Sequence, residues 1–277
     1  MTVVLGLAAA VLYGVGDFAG GIASRRHTAI TVLLLSYPVG AVLMALMLPL
    51  FGGHLDTRSA LYGIAGGVAG LVGVVLMYSL MTVAPINIVS PVTAVLAAIV
   101  PVVVGVGIGE RPRPEAWFGI ALGLGAVILV SRTTEAHPHG RVGARIIALA
   151  FVSGLGFGLY FVFLARAGDD SGLWPLVISR FASAALIVPL ARARGAFGIV
   201  RGRMFGVVVL AGACDALANM CFLIASRHGL LSLASVLTSL YPAITVLLAV
   251  SVLREHTSRT QRVGLALAAG SIVLITV

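Results

Sequence analysis

The chain has 277 residues, of which 60% are apolar and only 10% charged, and its mean hydropathy is +1.13. A soluble domain averages about 25% charged residues, so this composition excludes one and defines an integral membrane protein. The net charge of +9 comes entirely from Arg, because the chain has no Lys. Arg in short loops between apolar runs orients a membrane protein and does not read as a nucleic-acid patch.

The first apolar run, 2–23, lacks a basic leader, exceeds the length of a signal peptide core and contains Asp17, so it reads as a retained span. The apolar runs are continuous over about 20 residues, which excludes the short alternating strands of a membrane barrel. Ten spans fit, at 2–23, 29–51, 59–82, 86–108, 115–131, 143–165, 173–191, 203–226, 230–253 and 260–277. The longest connection, 132–142, has the composition of a linker and divides the chain into halves at 1–131 and 143–277.

The second half repeats the first at a shift of 145 residues. Ser90 then falls on Ser235, Thr93 on Thr238, Glu110 on Glu255, Gly119 on Gly264 and Gly125 on Gly270. With five spans per half, the second half enters the membrane from the opposite side, so the repeats are inverted. The predicted fold is therefore all-α, with ten transmembrane helices in two inverted five-helix repeats.

Small-xxx-small stripes such as Gly63-x3-Gly67, Gly119-x3-Gly123 and Gly154-x3-Gly158 predict close helix packing. Loops after odd-numbered spans hold twelve Arg and those after even-numbered spans hold five. By that bias the odd loops are cytoplasmic and both termini lie outside.

A charged group at mid-span costs about 2.5–3.5 kcal/mol on insertion scales, so each needs a reason. Asp17 stands in span one, Arg180 in span seven and Asp215 in span eight, with Asn219 one turn from Asp215. Helical rise places Arg180 and Asp215 at similar depths, within reach of a pair, and Asp17 further off. The pair reads either as a structural tie between two spans or as a site where Arg180 receives an anionic substrate group. Asp17 reads either as a residue reaching a hydrated vestibule or as a titrating, proton-coupling carboxylate. Tyr13, Asn87 and Ser90 are further cavity-lining candidates.

Pro91 and Pro101 in span four and Pro242 in span nine predict helix breaks at corresponding positions, a pointer to a transport site. Glu110 and Glu255 close the same two spans, where an acid opposes the helix dipole. Each is either anchored by a neighbouring Arg or helix N-terminus, or part of a switched salt bridge. Cys214 and Cys221, seven apart in one helix, are too distant to pair. No metal-ligand spacing or ATP-binding loop occurs, so no metal or cofactor is predicted.

These features together resemble the EamA-type branch of the drug/metabolite transporter superfamily. The resemblance rests on Pro242, Leu253-Arg254-Glu255, Gly264 and Gly270, on Glu110-Arg111-Pro112 and Gly119, on the Tyr13-Gly-x-Gly-Asp17-Phe stretch, and on Arg180. It implies a secondary carrier in the cytoplasmic membrane, often an exporter of amino acids, other metabolites or drugs. The expected partners are a small molecule, the lipid bilayer and a coupling proton, in a monomer or homodimer, and no enzyme activity is implied. It also implies cytoplasmic termini, opposite to the Arg bias. The alternative class is a lipid-modifying membrane enzyme or a flippase; an enzyme would need an acidic or His cluster at one interface, and Asp169-Asp170 is the sole acidic pair.

Overall fold

Polar turns punctuate the apolar runs, and several of them cap the helix that follows. Thr28 Oγ1 accepts from the Thr31 amide at 3.3 Å. Asp56 Oδ1 accepts from the Ser59 amide at 2.8 Å while Ser59 Oγ accepts from the Asp56 amide at 3.1 Å. Hydrogen bonding by Ser59 holds the Asp56 carboxyl below the ordinary carboxylate value. Ser258 and Gln261 exchange the same reciprocal pair of bonds, at 3.0 and 3.1 Å. Each turn satisfies amides that a helix start leaves orphaned.

The computed structural model describes residues 1–24, 26–81, 86–131, 143–254 and 256–276, apart from the side chains at 78, 81, 86–88, 90 and 91. The described residues are helical throughout, without strands. The helices are α1 (Thr2–Ser24), α2 (Ala29–Phe51), α3 (Thr57–Met81), α4 (Ile86–Gly107), α5 (Pro114–Val130), α6 (Ala144–Arg166), α7 (Trp174–Ala193), α8 (Arg203–Arg227), α9 (Leu231–Thr238), α10 (Tyr241–Leu253) and α11 (Arg259–Thr276), with a 3-10 turn at Asp169–Ser171. Seven stretches are long and apolar enough to cross a membrane, and two shorter apolar helices, Val92–Gly107 and Pro114–Val130, accompany them. The predicted linker at 132–142 lies outside the described residues.

The predicted ninth span is two helices. Ser239 and Leu240 interrupt it, and Pro242 enters in the first turn of α10, where a missing amide costs nothing. The expected break in span four is not there: α4 continues through both Pro91 and Pro101. A single proline removes one backbone bond, and the helix carries on around it when neighbours hold it.

α1 packs on α8, α3 on α6 and α7, α4 on α6, α2 on α7 and α8, α5 on α11, and α9 and α10 on α1. Glycines let these backbones approach. A methyl group on Gly67 of α3 would lie 2.5 Å from the Ser179 carbonyl of α7, and one on Gly154 would lie 2.6 Å from Leu96 of α4. Serine hydroxyls then bond across the crossings: Ser183 Oγ to the Gly67 carbonyl at 2.9 Å, Ser153 to Gly73 at 2.7 Å, Ser271 to Gly119 at 2.7 Å. Close approach and these bonds replace the hydrophobic drive that lipid does not supply.

The bundle has two unlike ends. One, the arginine-rich end, carries Arg26, Arg192, Arg194, Arg201, Arg203, Arg254, Arg259 and Arg262. At the other, the glycine end, the 52–56 turn lies directly on the 168–172 turn. The His54 amide donates to the Asp170 carbonyl at 2.9 Å. Gly53 and Gly172 both have positive φ, and a Cβ on either would collide with the opposite backbone. Arg227 ties this turn to α8, donating to the Gly168 and Gly172 carbonyls and to Ser171 Oγ, each at 2.8 Å.

Candidate functional site

A cavity of about 180 Å³ lies between the helices, lined by residues of α1, α2, α3, α4, α6, α7, α8 and α10. Its lining reaches Gly20 on α1, Val32 and Leu33 on α2 and Met77 on α3, all near the arginine-rich end. It does not include any residue of the closed glycine end, so the cavity faces the arginine-rich end. None of the described arginines of that end lines it.

The three predicted mid-span charges all line this cavity. Arg180 is 94% removed from solvent, being only 6% exposed, and its Nη2 contacts Asp215 Oδ2 at 2.5 Å. The guanidinium also sits 5.8 Å from the centre of the Tyr37 ring, a cation–π contact. Its Nε has no hydrogen-bond partner among the described residues. Asp215 is more open, its side chain 39% exposed. α1 reaches this level of α8 because Gly16 has no side chain: a Cβ there would lie 3.3 Å from the Ala211 carbonyl and 3.5 Å from the Asp215 amide.

Tyr13 donates its hydroxyl to Asn219 Oδ1 at 2.5 Å, and Asn219 Nδ2 donates to the Asp215 backbone carbonyl at 2.7 Å. Both residues had been singled out from the sequence, and the structure joins them into one chain with Asp215. Asp17 is exposed to the cavity, and among the described residues it has no hydrogen-bond or ion-pair partner.

Sequence reasoning missed the aromatic wall. Tyr37, Phe157, Tyr160, Phe161 and Tyr241 join Tyr13 around the cavity. Tyr13 meets Phe161 edge-on at 6.2 Å and Tyr241 at 6.0 Å. Rings in apolar runs carry no local sign of whether they face lipid or a cavity. A hydroxyl at mid-span, as in Tyr37 and Tyr241, was the signal available.

The other sequence candidates lie elsewhere. Glu110 leaves α4 and accepts from the Leu231 and Ser232 amides at 2.5 and 3.0 Å, capping α9 at the glycine end. Pro101 and Pro242 do not line the cavity, although Tyr241 beside Pro242 does. Glu255 lies outside the described residues, as do the side chains of Asn87, Ser90 and Pro91. Among the described residues no group of three or more His, Cys, Asp or Glu could hold a metal, and Cys214 and Cys221 are free thiols.

A helical, apolar bundle with ionisable side chains around an internal cavity defines a multi-pass membrane protein with a polar interior site. The chain belongs to the EamA-like transporter family, whose model matches residues 1–132 and again 144–277. It is thus a membrane transporter of the drug/metabolite type. A solved structure described only as "Crystal structure of protein" is similar over 99% of this chain and 96% of its own, with a TM-score of 0.82 and 20% identity, a likeness of fold. No curated protein matches the chain.

Proposed function

We propose that the chain is a proton-coupled exporter of a small molecule across the cytoplasmic membrane, working by alternating access between two inverted five-helix halves that together cross ten times. The observation that carries this reading is a carboxylate, Asp17, without a partner among the described residues and exposed in a cavity that is closed at one end of the bundle. A group kept ionisable at that depth is costly unless it is used.

Several features support inverted halves. α1 packs on α8 and its counterpart α6 on α3; α5 packs on its own counterpart, α11. α2 packs on its counterpart α7, and there Tyr37 meets Arg180. Elements that touch their own repeat partner lie on a two-fold axis. Charge supports the proposed orientation. The cavity lies toward the arginine-rich end, which the positive-inside rule assigns to the cytoplasm, and we read this as the state in which an exporter loads.

The roles follow from position. Asp17 carries the proton. The Arg180–Asp215 pair and the Tyr13–Asn219 link set the shape and polarity of the binding site. The test is Asp17→Asn in proteoliposomes. Substrate movement driven by a pH gradient should be abolished, with the variant folded as judged by its thermal transition. Full gradient-driven transport by Asp17→Asn would remove the coupling role. The substrate for this test comes from comparing the medium of cells overproducing the chain with that of cells overproducing Asp17→Asn.

A further inference from the structure

We infer that the cavity takes a small organic monocation, an ammonium group on an apolar or aromatic body, with its charge held at Asp17. This rests on the carrier reading of the same site and narrows it to a substrate class.

Charge comes first. Among the described residues the charged groups lining the cavity are Asp17, Arg180 and Asp215, two carboxylates and one guanidinium. The guanidinium already belongs to Asp215, at 2.5 Å, and is buried. An anionic substrate would find one unpartnered donor there, Arg180 Nε, and would compete with Asp215 for the rest of the guanidinium. With Asp17 ionised, a zwitterion would leave the cavity with the same unbalanced negative charge. A monocation at Asp17 cancels it.

The wall is the second observation. Six rings, Tyr13, Tyr37, Phe157, Tyr160, Phe161 and Tyr241, line the cavity of a chain that is only 7% aromatic. Aromatic faces attract organic ammonium groups, and they do so most where water is excluded. Arg180 over Tyr37 is one such contact already made within the protein.

Size is the third. A volume of about 180 Å³ falls below the roughly 300–1,000 Å³ of pockets for drug-sized ligands. It suits a single ring or short aliphatic body bearing one ammonium, and excludes polycyclic drugs in this state.

A cation and a proton cannot both hold one carboxylate, so they compete at Asp17. The groups facing it across the cavity are Asp215 on α8 and Arg180 on α7, and Tyr13, Tyr37, Tyr160 and Tyr241 are the remaining titratable groups of the lining. Exchange is then one monocation outward for one proton inward, which moves no net charge.

The probe is benzyltrimethylammonium, a permanent cation, compared with phenylacetate and phenylalanine by calorimetric titration of the purified chain. The cation should bind at least about tenfold more tightly than either other probe, a difference of about 1.4 kcal/mol. Its affinity should rise with pH, and binding should release protons in a weakly buffered solution. Asp17→Asn should lose the proton release and about tenfold or more in affinity, and Asp17→Glu should recover part of both. Equal binding of phenylacetate or phenylalanine overturns the proposal, as does no cation binding, or cation binding unchanged in Asp17→Asn. Counterflow in proteoliposomes separates this failure from failure of the carrier reading. Exchange of the anion or zwitterion keeps the carrier and removes the cation. No exchange of any probe, with no exported species in the cellular comparison, removes the carrier as well.

Discussion

Arg180 and Asp215 hold each other in a place where neither is stable alone. Removing one partner of a buried pair leaves an uncompensated charge, at a cost of about 3–5 kcal/mol when both are fully buried. Asp215 is 39% exposed at its side chain, so water recovers part of that loss. Arg180→Ala should therefore lower the thermal transition in detergent, and Asp215→Asn added to it should raise the transition again. A double-mutant cycle should give a coupling of about 0.5–3 kcal/mol, the range for residues in direct contact. Strict additivity would mean that the pair contributes nothing to folding. The pair was legible in the sequence because mid-span charges are few and helical rise fixes their depths. The same depth estimate sets Asp17 apart from Arg180, and among the described residues Asp17 has no ion-pair partner. The ring of tyrosines and phenylalanines was not, since an apolar run offers no periodicity that separates a lipid face from a cavity face when every face is apolar.

At the scale of elements, the second half is broken where the first is not. α9 has eight residues and cannot persist alone, because helix nucleation is costly and short helices are marginal. Glu110 supplies what it lacks: a carboxylate on two orphan amides at the positive end of the helix dipole. Gly105 leaves room for that carboxylate, since a Cβ there would collide with it. Glu110→Ala should destabilise the chain by about 0.5–2 kcal/mol. In thermal scans that is a drop on the order of 2–4 °C per kcal/mol. An unchanged transition would make the cap dispensable. The sequence marks Glu110 as an acid at the wrong end of its own helix, and that anomaly is legible. Its partners are 121 and 122 residues away, beyond any local rule. The break at Ser239–Leu240 was expected from Pro242. The continuity of α4 was not, because one proline signals equally a kink, a break or a tolerated lost bond.

At the scale of the whole molecule, orientation decides which side of the membrane the cavity faces in this state. The arginine bias predicts that the 254–259 turn is cytoplasmic and the 52–57 turn external. In sealed inside-out vesicles of a chain whose Cys214 and Cys221 are replaced by Ala, Thr257→Cys should react with an impermeant thiol reagent and Thr57→Cys should not. The reverse pattern would turn the cavity outward and make the described state one of release. Reaction of both from one face would refute the inverted halves.

The glycine end has a thermal consequence. Its seal consists of backbone amides, carbonyls and the Arg227 guanidinium, meeting at Gly53, His54, Gly168, Asp170 and Gly172. Parting these groups hydrates polar surface, which lowers heat capacity, whereas exposing apolar surface raises it. The ratio of closed to open molecules, read from cysteine accessibility at that end, should then follow a van't Hoff plot that is straight or curves in the sense of a negative heat-capacity change on opening. A pronounced curve of the opposite sign would mean that Leu173, only 1% exposed in this state, leaves its packing each time the end opens. A seal of this kind keeps its strength on cooling, when hydrophobic contacts weaken, so the closed end would hold with similar firmness across the temperatures at which the membrane stays fluid.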